Sequence, residues 1–344
     1  MNGNLDEATA ADVRRLGGIA RYLASRKMAR YLAARVAVGA GTLIVVTVFV
    51  FGAIHLIPGS YAEVVLPPQA PASARAALER EYGLNQSLPV QYAKWLRNVA
   101  TGNFGLSLRG GTTVSDLLIR RVPVTLELAL LALCLALLVG LPLALLGGMA
   151  RGTLWRGGSR LAGAITISTP DFVIGSVLVY LFSRYALGLP AGAYVPFATD
   201  PLTSLRDMLL PALTLSVFGV ALISRIGRDS VAGVLNEPYA MAALSRGEST
   251  IHIIRHHVLR NAAIPLVTVV AVYFGYLMGG AVVVENLFSL PGLGQEALFA
   301  INGRDYPVIQ AIVLVSAAAF IGANMIADLS YGALDPRIRR TAWR

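Results

Sequence analysis

The sequence holds a single cysteine, Cys134, in 344 residues. No internal disulfide can form, and no paired-cysteine metal site is available. Lysine is almost as scarce: Lys27 and Lys94 stand alone, and neither follows a glycine-rich turn. A G-x-x-x-x-G-K-[ST] phosphate cradle is therefore missing. No H-E-x-x-H occurs either. His256 and His257 are adjacent, so they point to different faces of a helix, and His252 and His256 meet no carboxylate that would complete a metal set. No metal site and no catalytic residues are expected. Charged residues make up only 14% of the chain, against 56% hydrophobic ones. A soluble domain carries about 25% charged residues. That deficit excludes a disordered chain and an ordinary soluble enzyme.

What is present is apolar length. Val36 to Ile57 carries one polar ring, His55, and at 1.5 Å per residue it spans a hydrocarbon core of about 30 Å. "PGS" at Pro58–Ser60 ends it. Five more apolar runs come after it, at 122–149, 161–187, 208–227, 263–285 and 307–330. The expected architecture is an all-α integral membrane protein with six transmembrane helices, both termini on one side.

Charge sets the orientation. The net charge is +10, from 29 Lys+Arg against 19 Asp+Glu. Nineteen of the 29 basic residues fall at 1–35, 150–160, 225–262 and 337–344, whereas the short intervening loops hold only Arg184, Arg206 and Arg304. Positive charge stays inside, so the expectation is N-in and C-in. Residues 1–33 then form a basic cytoplasmic extension ending in a surface helix that turns into the first span at 34–57. Residues 336–344 form a cytoplasmic tail.

Two segments outside the spans carry organisation. A loop of about 60 residues, 58–121, holds two helical patterns, from Ala72 and from Leu88, and lies outside. The connection 228–262 lies inside and reads as two short helices meeting at Gly247, where a helix C-terminus needs positive φ. Ser249 or Thr250 caps the second.

Ionisable residues within spans are functional candidates by default. Asp171 is placed near mid-bilayer in the third span, where a carboxylate faces a water-filled path or a buried partner. Ser168 before it, and Asn324 in the sixth span, are further candidates for the path. Glu127, Glu285 and Asp328 read as caps or packing residues at span ends. Gly275 and Gly279 make a G-x-x-x-G that lets helices approach closely.

From Pro211 onward the sequence resembles the permeases of binding-protein-dependent ABC importers. The run "EPYAMAALSRGESTIHIIRHHVLRNAAIPLVT" (Glu237–Thr268) carries the resemblance. It contains Glu237, Tyr239, Ala242, Ala243, Gly247, a histidine, Arg260, Asn261 and Pro265 in the family's order. "GGAVVVENLFSLPGLGQEAL", "NGRDYPVIQ" and "ADLSYGALDPRIR" resemble the dipeptide/oligopeptide/nickel subfamily. Upstream, "QYAKWLRNVATGNFGLSL" and "RVPVTLELALLAL" are similar to its first permease, of the dipeptide-permease-B type. The chain departs from the pattern at Asp171, which follows Pro170 where the family has an apolar or aromatic residue.

The resemblance implies a type I importer permease fold, with a core over 122–335, in a bacterial inner membrane. It implies a second homologous permease, two ATPase subunits that bind ATP and magnesium, and an extracytoplasmic substrate-binding protein. The named residues of 237–265 would form the segment that couples ATPase closure to alternating access. Arg75, Glu79, Tyr82, Tyr92 and Trp95 of the outer loop are candidates for docking the binding protein. Peptides are the expected substrates. A nickel or metal-chelate importer of the same subfamily is the alternative within transport, and a secondary transporter is the alternative outside it.

Overall fold

Unbroken apolar runs make long helices because the backbone groups of a membrane span must be satisfied within the segment. The computed structural model describes residues 26–56, 66, 69–81, 85–150, 163, 166–185 and 187–334, and most of these are helical. In chain order the helices are α1 (Arg26–His55), α2 (Ala72–Glu81), α3 (Leu88–Ala100), α4 (Val114–Met149), α5 (Asp171–Arg184), α6 (Pro201–Leu235), α7 (Pro238–Ser245) and α8 (Thr250–Ile253). A π-helical turn, Ile254–Val258, leads into α9 (Leu259–Gly280), followed by α10 (Val282–Leu287), α11 (Leu293–Asn302) and α12 (Tyr306–Leu334). Residues 1–25, Pro58–Ser60, Tyr82, most of 150–160 and the tail at 336–344 lie outside the described residues.

Five of these helices are long and apolar enough to cross a membrane: α1, α4, α6, α9 and α12. The expected third span, 161–187, is not one helix. Residues 166–168 are helical, Thr169 and Pro170 leave the helix, and α5 starts afresh at Asp171. Proline drives the residue before it out of the α region and has no N–H to donate. The 14 residues of α5 reach only about 21 Å. Asp171 therefore sits in the first turn of a helix, not midway along one.

The centre is the pair α4 and α6. One face of α4 presents Ala132, Ala136, Gly140, Ala144 and Gly148, one turn apart and buried. A Cβ at Gly140 would lie 3.0 Å from Ile223, and at Gly148 2.5 Å from Val231. Small residues at this spacing bring two helix axes together, and dispersion contacts then hold them. α9 packs on the other side, with Tyr273 fully buried and its hydroxyl donating to Leu215 O at 3.0 Å. Gly275 lies flat against the Phe320 ring of α12. Among the described residues Gly279 has nothing within 4 Å of the place its Cβ would take, so there only the first glycine of the motif packs against another helix.

Helix limits differ from the expected ones for physical reasons. α6 begins well before the apolar run because Asp200 caps it, accepting from Leu202 N (3.1 Å) and Thr203 N (3.2 Å), with Pro201 in the first turn. Hydrogen bonds from Thr203, first its hydroxyl and then its amide, lower the Asp200 pKa from the usual aspartate value. α6 also runs on through residues 228–235, which were expected to open the first inner helix. α1 continues unbroken from Arg26 into the apolar run, so residues 26–33 are not a surface helix with a turn after it. Arg35 pairs with Asp328 of α12 at 3.0 Å and fixes the foot of α1.

Candidate coupling segment and membrane acids

The segment between α6 and α9 is built by three local signals. Asn236 ends α6, Glu237 takes extended backbone (φ −70°, ψ 144°), and Pro238 starts α7. Glu237 is exposed and its side chain makes no capping bond. α7 ends in a left-handed turn at Gly247, φ +78°. Glu248 N donates to Ala243 O at 3.2 Å and Gly247 N to Leu244 O at 3.0 Å. This closing pattern uses a residue that is free to take positive φ. Ser249 Oγ accepts from His252 N at 3.3 Å, so Ser249 is the cap of α8.

α7 has two distinct sides. Ala240 and Ala243 are fully buried, and Ala243 joins Val231, Ile253, Val258 and Ala262 in a small apolar cluster. Tyr239, Met241, Ala242 and Leu244 face outward, with Met241 55% exposed. The two alanines grouped together in sequence thus do different work: Ala243 seats the helix and Ala242 lies on its open face. Asn261 Nδ2 donates to the Tyr239 hydroxyl at 2.8 Å, joining α7 to the first turns of α9. Arg260 lies in that same turn, and its side chain is outside the described set. Pro265 follows the π-turn by two helical turns; a wide turn followed by a missing N–H loosens the base of α9.

At the membrane acids, Tyr276 donates its hydroxyl to Asp171 Oδ2 at 2.5 Å. The Tyr276 ring lies 5.0 Å from Phe218 and is stacked against Tyr273 at 6.4 Å. Asp171 is partly exposed and Tyr276 is 39% exposed, so the pair faces outward from this chain. Ser168 is exposed, and Asn324 donates to Phe320 O of its own helix at 2.9 Å. Neither is hydrogen-bonded to Asp171. The other span-end acids bridge helices: the Ser204 hydroxyl donates to Glu127 Oε1, linking α6 to α4, and Asp328 holds Arg35.

Glu285 proved more than a span end. It is completely buried. Thr125 Oγ1 donates to Oε1 at 2.6 Å, and Gly294 N and Gln295 N donate to Oε2 at 2.7 and 3.0 Å. Thr125 Oγ1 in turn accepts from Leu293 N at 2.8 Å. Any Cβ at Gly292 would overlap the carboxylate, and one at Gly294 would stand 2.5 Å from Val282 Cα. The signal in sequence was the spacing of a lone acid before "PGLG": a buried carboxylate needs backbone donors, and only glycines let the loop close on it.

In the 58–121 loop, α2 and α3 appear where the two patterns predict them. Arg75 and Glu79 lie on α2 with side chains outside the described set. Tyr92 and Trp95 face inward onto α1: Tyr92 OH meets Thr47 Oγ1 at 2.9 Å, and the Phe51 ring lies 5.4 Å from Tyr92 and 6.0 Å from Trp95. These aromatics dock α3 on the first span.

Comparison with known proteins agrees with this architecture. Residues 136–340 match the family described as binding-protein-dependent transport system inner membrane component, and residues 28–129 match the N-terminal region of such membrane components. The chain is 35% identical over 312 residues to a probable peptide ABC transporter permease, y4tP, of Sinorhizobium fredii, covering 91% of this chain and all of that one. It is 36% identical over 299 residues to the glutathione transport system permease GsiC of Salmonella typhimurium, covering 87% and 95%. Among solved structures, an inward-facing MetNI methionine ABC transporter shares the fold, with a TM-score of 0.51 at 18% identity over 64% of this chain and 96% of that chain.

Proposed function

The chain belongs to the family of binding-protein-dependent transport system inner membrane components, and on that premise we propose how it serves an importer. It is a multi-pass inner-membrane permease of the peptide-type ABC importers. Its substrates are di- or oligopeptides. It has six spans, N-in and C-in, the third made of α5 and the residues before Pro170, with loop 58–121 outside. A second, homologous permease completes the translocation path.

The two-sidedness of α7 carries the reading. Ala240 and Ala243 press the helix onto the bundle, while Tyr239, Met241, Ala242 and Leu244 offer an apolar face that is exposed among the described residues. That face enters a groove on one of two ATPase subunits, which bind the ATP and magnesium. Closure of the ATPase pair pushes α7. The Asn261–Tyr239 bond and the turn at Gly247 pass the displacement to α9, and the bundle rocks between inward- and outward-open states. The residues that do this are Glu237, Tyr239, Ala242, Ala243, Gly247, Arg260, Asn261 and Pro265. Asp171, paired with Tyr276, faces the path and meets the amine of a passing peptide, with Ser168 and Asn324 further along it.

Purification of the tagged chain from its native membranes in mild detergent tests the reading. Two P-loop subunits, a sister permease and a binding protein should copurify with peptide-stimulated ATPase activity. A stable homo-oligomer without ATPase subunits would refute it.

A further inference from the structure

Helix α3 lies alongside α1, and α1 gives it a depth. Arg35 pairs with Asp328 and its side chain is 44% exposed. Such a charge pair belongs at the headgroups and not in hydrocarbon, so it marks the inner boundary of the membrane. Phe51 stands about 24 Å of helix above Arg35, and the hydrocarbon core is about 30 Å thick. Phe51 is therefore about 6 Å below the outer boundary, and any tilt of α1 sets it deeper. The Trp95 ring lies 6.0 Å from that of Phe51, and the Tyr92 hydroxyl meets Thr47 Oγ1, one turn deeper still, at 2.9 Å. α3 thus sits at membrane depth.

The sequence of α3 suits that place. Gln91, Tyr92 and Trp95 face α1. Pro89, Ala93, Leu96 and Ala100 recur at i, i+4, i+7 and i+11 and form an apolar flank beside that face. Lys94, Arg97 and Asn98 form a polar flank on the other side. Among the described residues nothing buries any residue of α3, and Pro89, Ala93 and Ala100 are exposed. Lys94 and Arg97 are exposed too, and have no acidic partner among the described residues. On α1, Ile44 and Val48 lie just below and beside the contact and are 52% and 51% exposed. The surface around α3 is therefore apolar and open.

We propose that α3 lies in the outer leaflet of the bilayer, its apolar flank among the upper acyl chains and Lys94 and Arg97 reaching up to lipid phosphates. Helices of this kind bury their apolar face about 5–10 Å below the headgroup boundary, the depth that Phe51 gives here. Tyrosine and tryptophan are the residue types that settle at that level. Lipid fits better than a protein partner: a protein covering α3 at this depth would have to pair Lys94 and Arg97, whereas phosphates receive them directly. Only the choice of leaflet rests on the orientation proposed above.

Nitroxide labels on the whole transporter in lipid nanodiscs test this. A Cys134→Ala transporter gives the background. Ala93→Cys on the apolar flank and Asn98→Cys on the polar flank are then added singly. Power saturation reads collisions with oxygen, which concentrates in hydrocarbon, and with a water-soluble nickel chelate. In Ala93→Cys oxygen contact should exceed nickel contact severalfold, and in Asn98→Cys the order should reverse. High nickel contact in both variants would put α3 in water, and low contact with both reagents in Ala93→Cys would put a protein over it; either result overturns the proposal. An impermeant maleimide should label Asn98→Cys in right-side-out membrane vesicles. Labelling only in inverted vesicles would overturn the orientation and the choice of leaflet, while the collision order would still place α3 in the bilayer.

Discussion

Asn261 in the first turn of α9 donates to the hydroxyl of Tyr239 in α7 across 2.8 Å. The bond joins the short helix that faces outward to the span that lines the bundle core, so a push on one displaces the other. Tyr239→Phe removes the acceptor and keeps the ring. A hydrogen bond of this kind is worth about 1 kcal/mol, so the chain should insert and fold as before. Peptide uptake in proteoliposomes should fall severalfold while ATP hydrolysis persists. Equal losses of uptake and hydrolysis would show that Tyr239 serves assembly and not coupling.

Gly247 holds φ at +78°. Proline fixes φ near −65°, so Gly247→Pro cannot close α7 with the bonds that Glu248 N and Gly247 N now make. Gly247→Ala adds only the Cβ strain of the left-handed region, about 1 kcal/mol. Uptake should therefore be abolished in the proline variant and reduced in the alanine variant, with both still inserted as judged by membrane fractionation. Normal transport by Gly247→Pro would remove the turn from the mechanism.

The turn at Gly247 was legible in the sequence because its pieces are local: a glycine closes α7 and a serine caps α8, whereas the start of α7 at Pro238 was missed because the helix was expected to open at about residue 228. The helices α2 and α3 were legible for the same reason. The small-residue face of α4 was not, because Ala132, Ala136, Gly140, Ala144 and Gly148 sit in a run that is apolar all round, and periodicity has no contrast there. The break before Asp171 was signalled by Thr169–Pro170 but outweighed by the apolar length around it. The Glu285 network joins positions 160 and more residues apart in sequence, and no spacing rule reports that. Tyr92 and Trp95 were expected to dock the binding protein; their contact with Phe51 joins two separate helices, which no local pattern reports.

Glu285 predicts a stability effect separate from transport. Glu285→Ala strips the acceptor from Thr125 Oγ1, Gly294 N and Gln295 N at once. Each buried donor left without a partner costs about 1–3 kcal/mol. The thermal midpoint of the purified complex should drop by several degrees, and Gly294→Ala should lower it as well by forcing the loop off Val282. A midpoint unchanged in both variants would mean that the α10–α11 loop is held by something other than this carboxylate.

Asp200 gives a pH dependence with a definite sign. Its folded pKa lies below the ordinary value of 3.8, chiefly because the Thr203 hydroxyl and amide donate to its carboxylate. A depressed carboxylate contributes its stability fully above the unfolded pKa and loses it as pH falls through the lower, folded value. Protection of the Leu202 and Thr203 amides from hydrogen exchange, corrected for intrinsic rate, should thus hold from neutral pH to about 4 and collapse below it. In Asp200→Ala it should be low at every pH. Protection that fades at pH 6 would assign the first turn of α6 to some other group.

Asp171 offers the sharpest test of the path. It stands at the start of α5 with one carboxylate oxygen held by Tyr276, on a side of the chain that its own helices leave partly open. A carboxylate in a low-dielectric path attracts a passing ammonium far more strongly than in water. Asp171→Asn keeps the size, and its carboxamide oxygen can still accept from Tyr276, so the fold should be unaffected. Uptake of lysine-containing peptides should then fall about tenfold, whereas N-acetylated peptides without a cationic side chain should enter as before. Tyr276→Phe, which frees the carboxylate without removing its charge, should leave the preference for cationic peptides in place. Equal uptake of both peptide classes by wild type and Asp171→Asn would take Asp171 out of the path and leave it as the partner that anchors Tyr276.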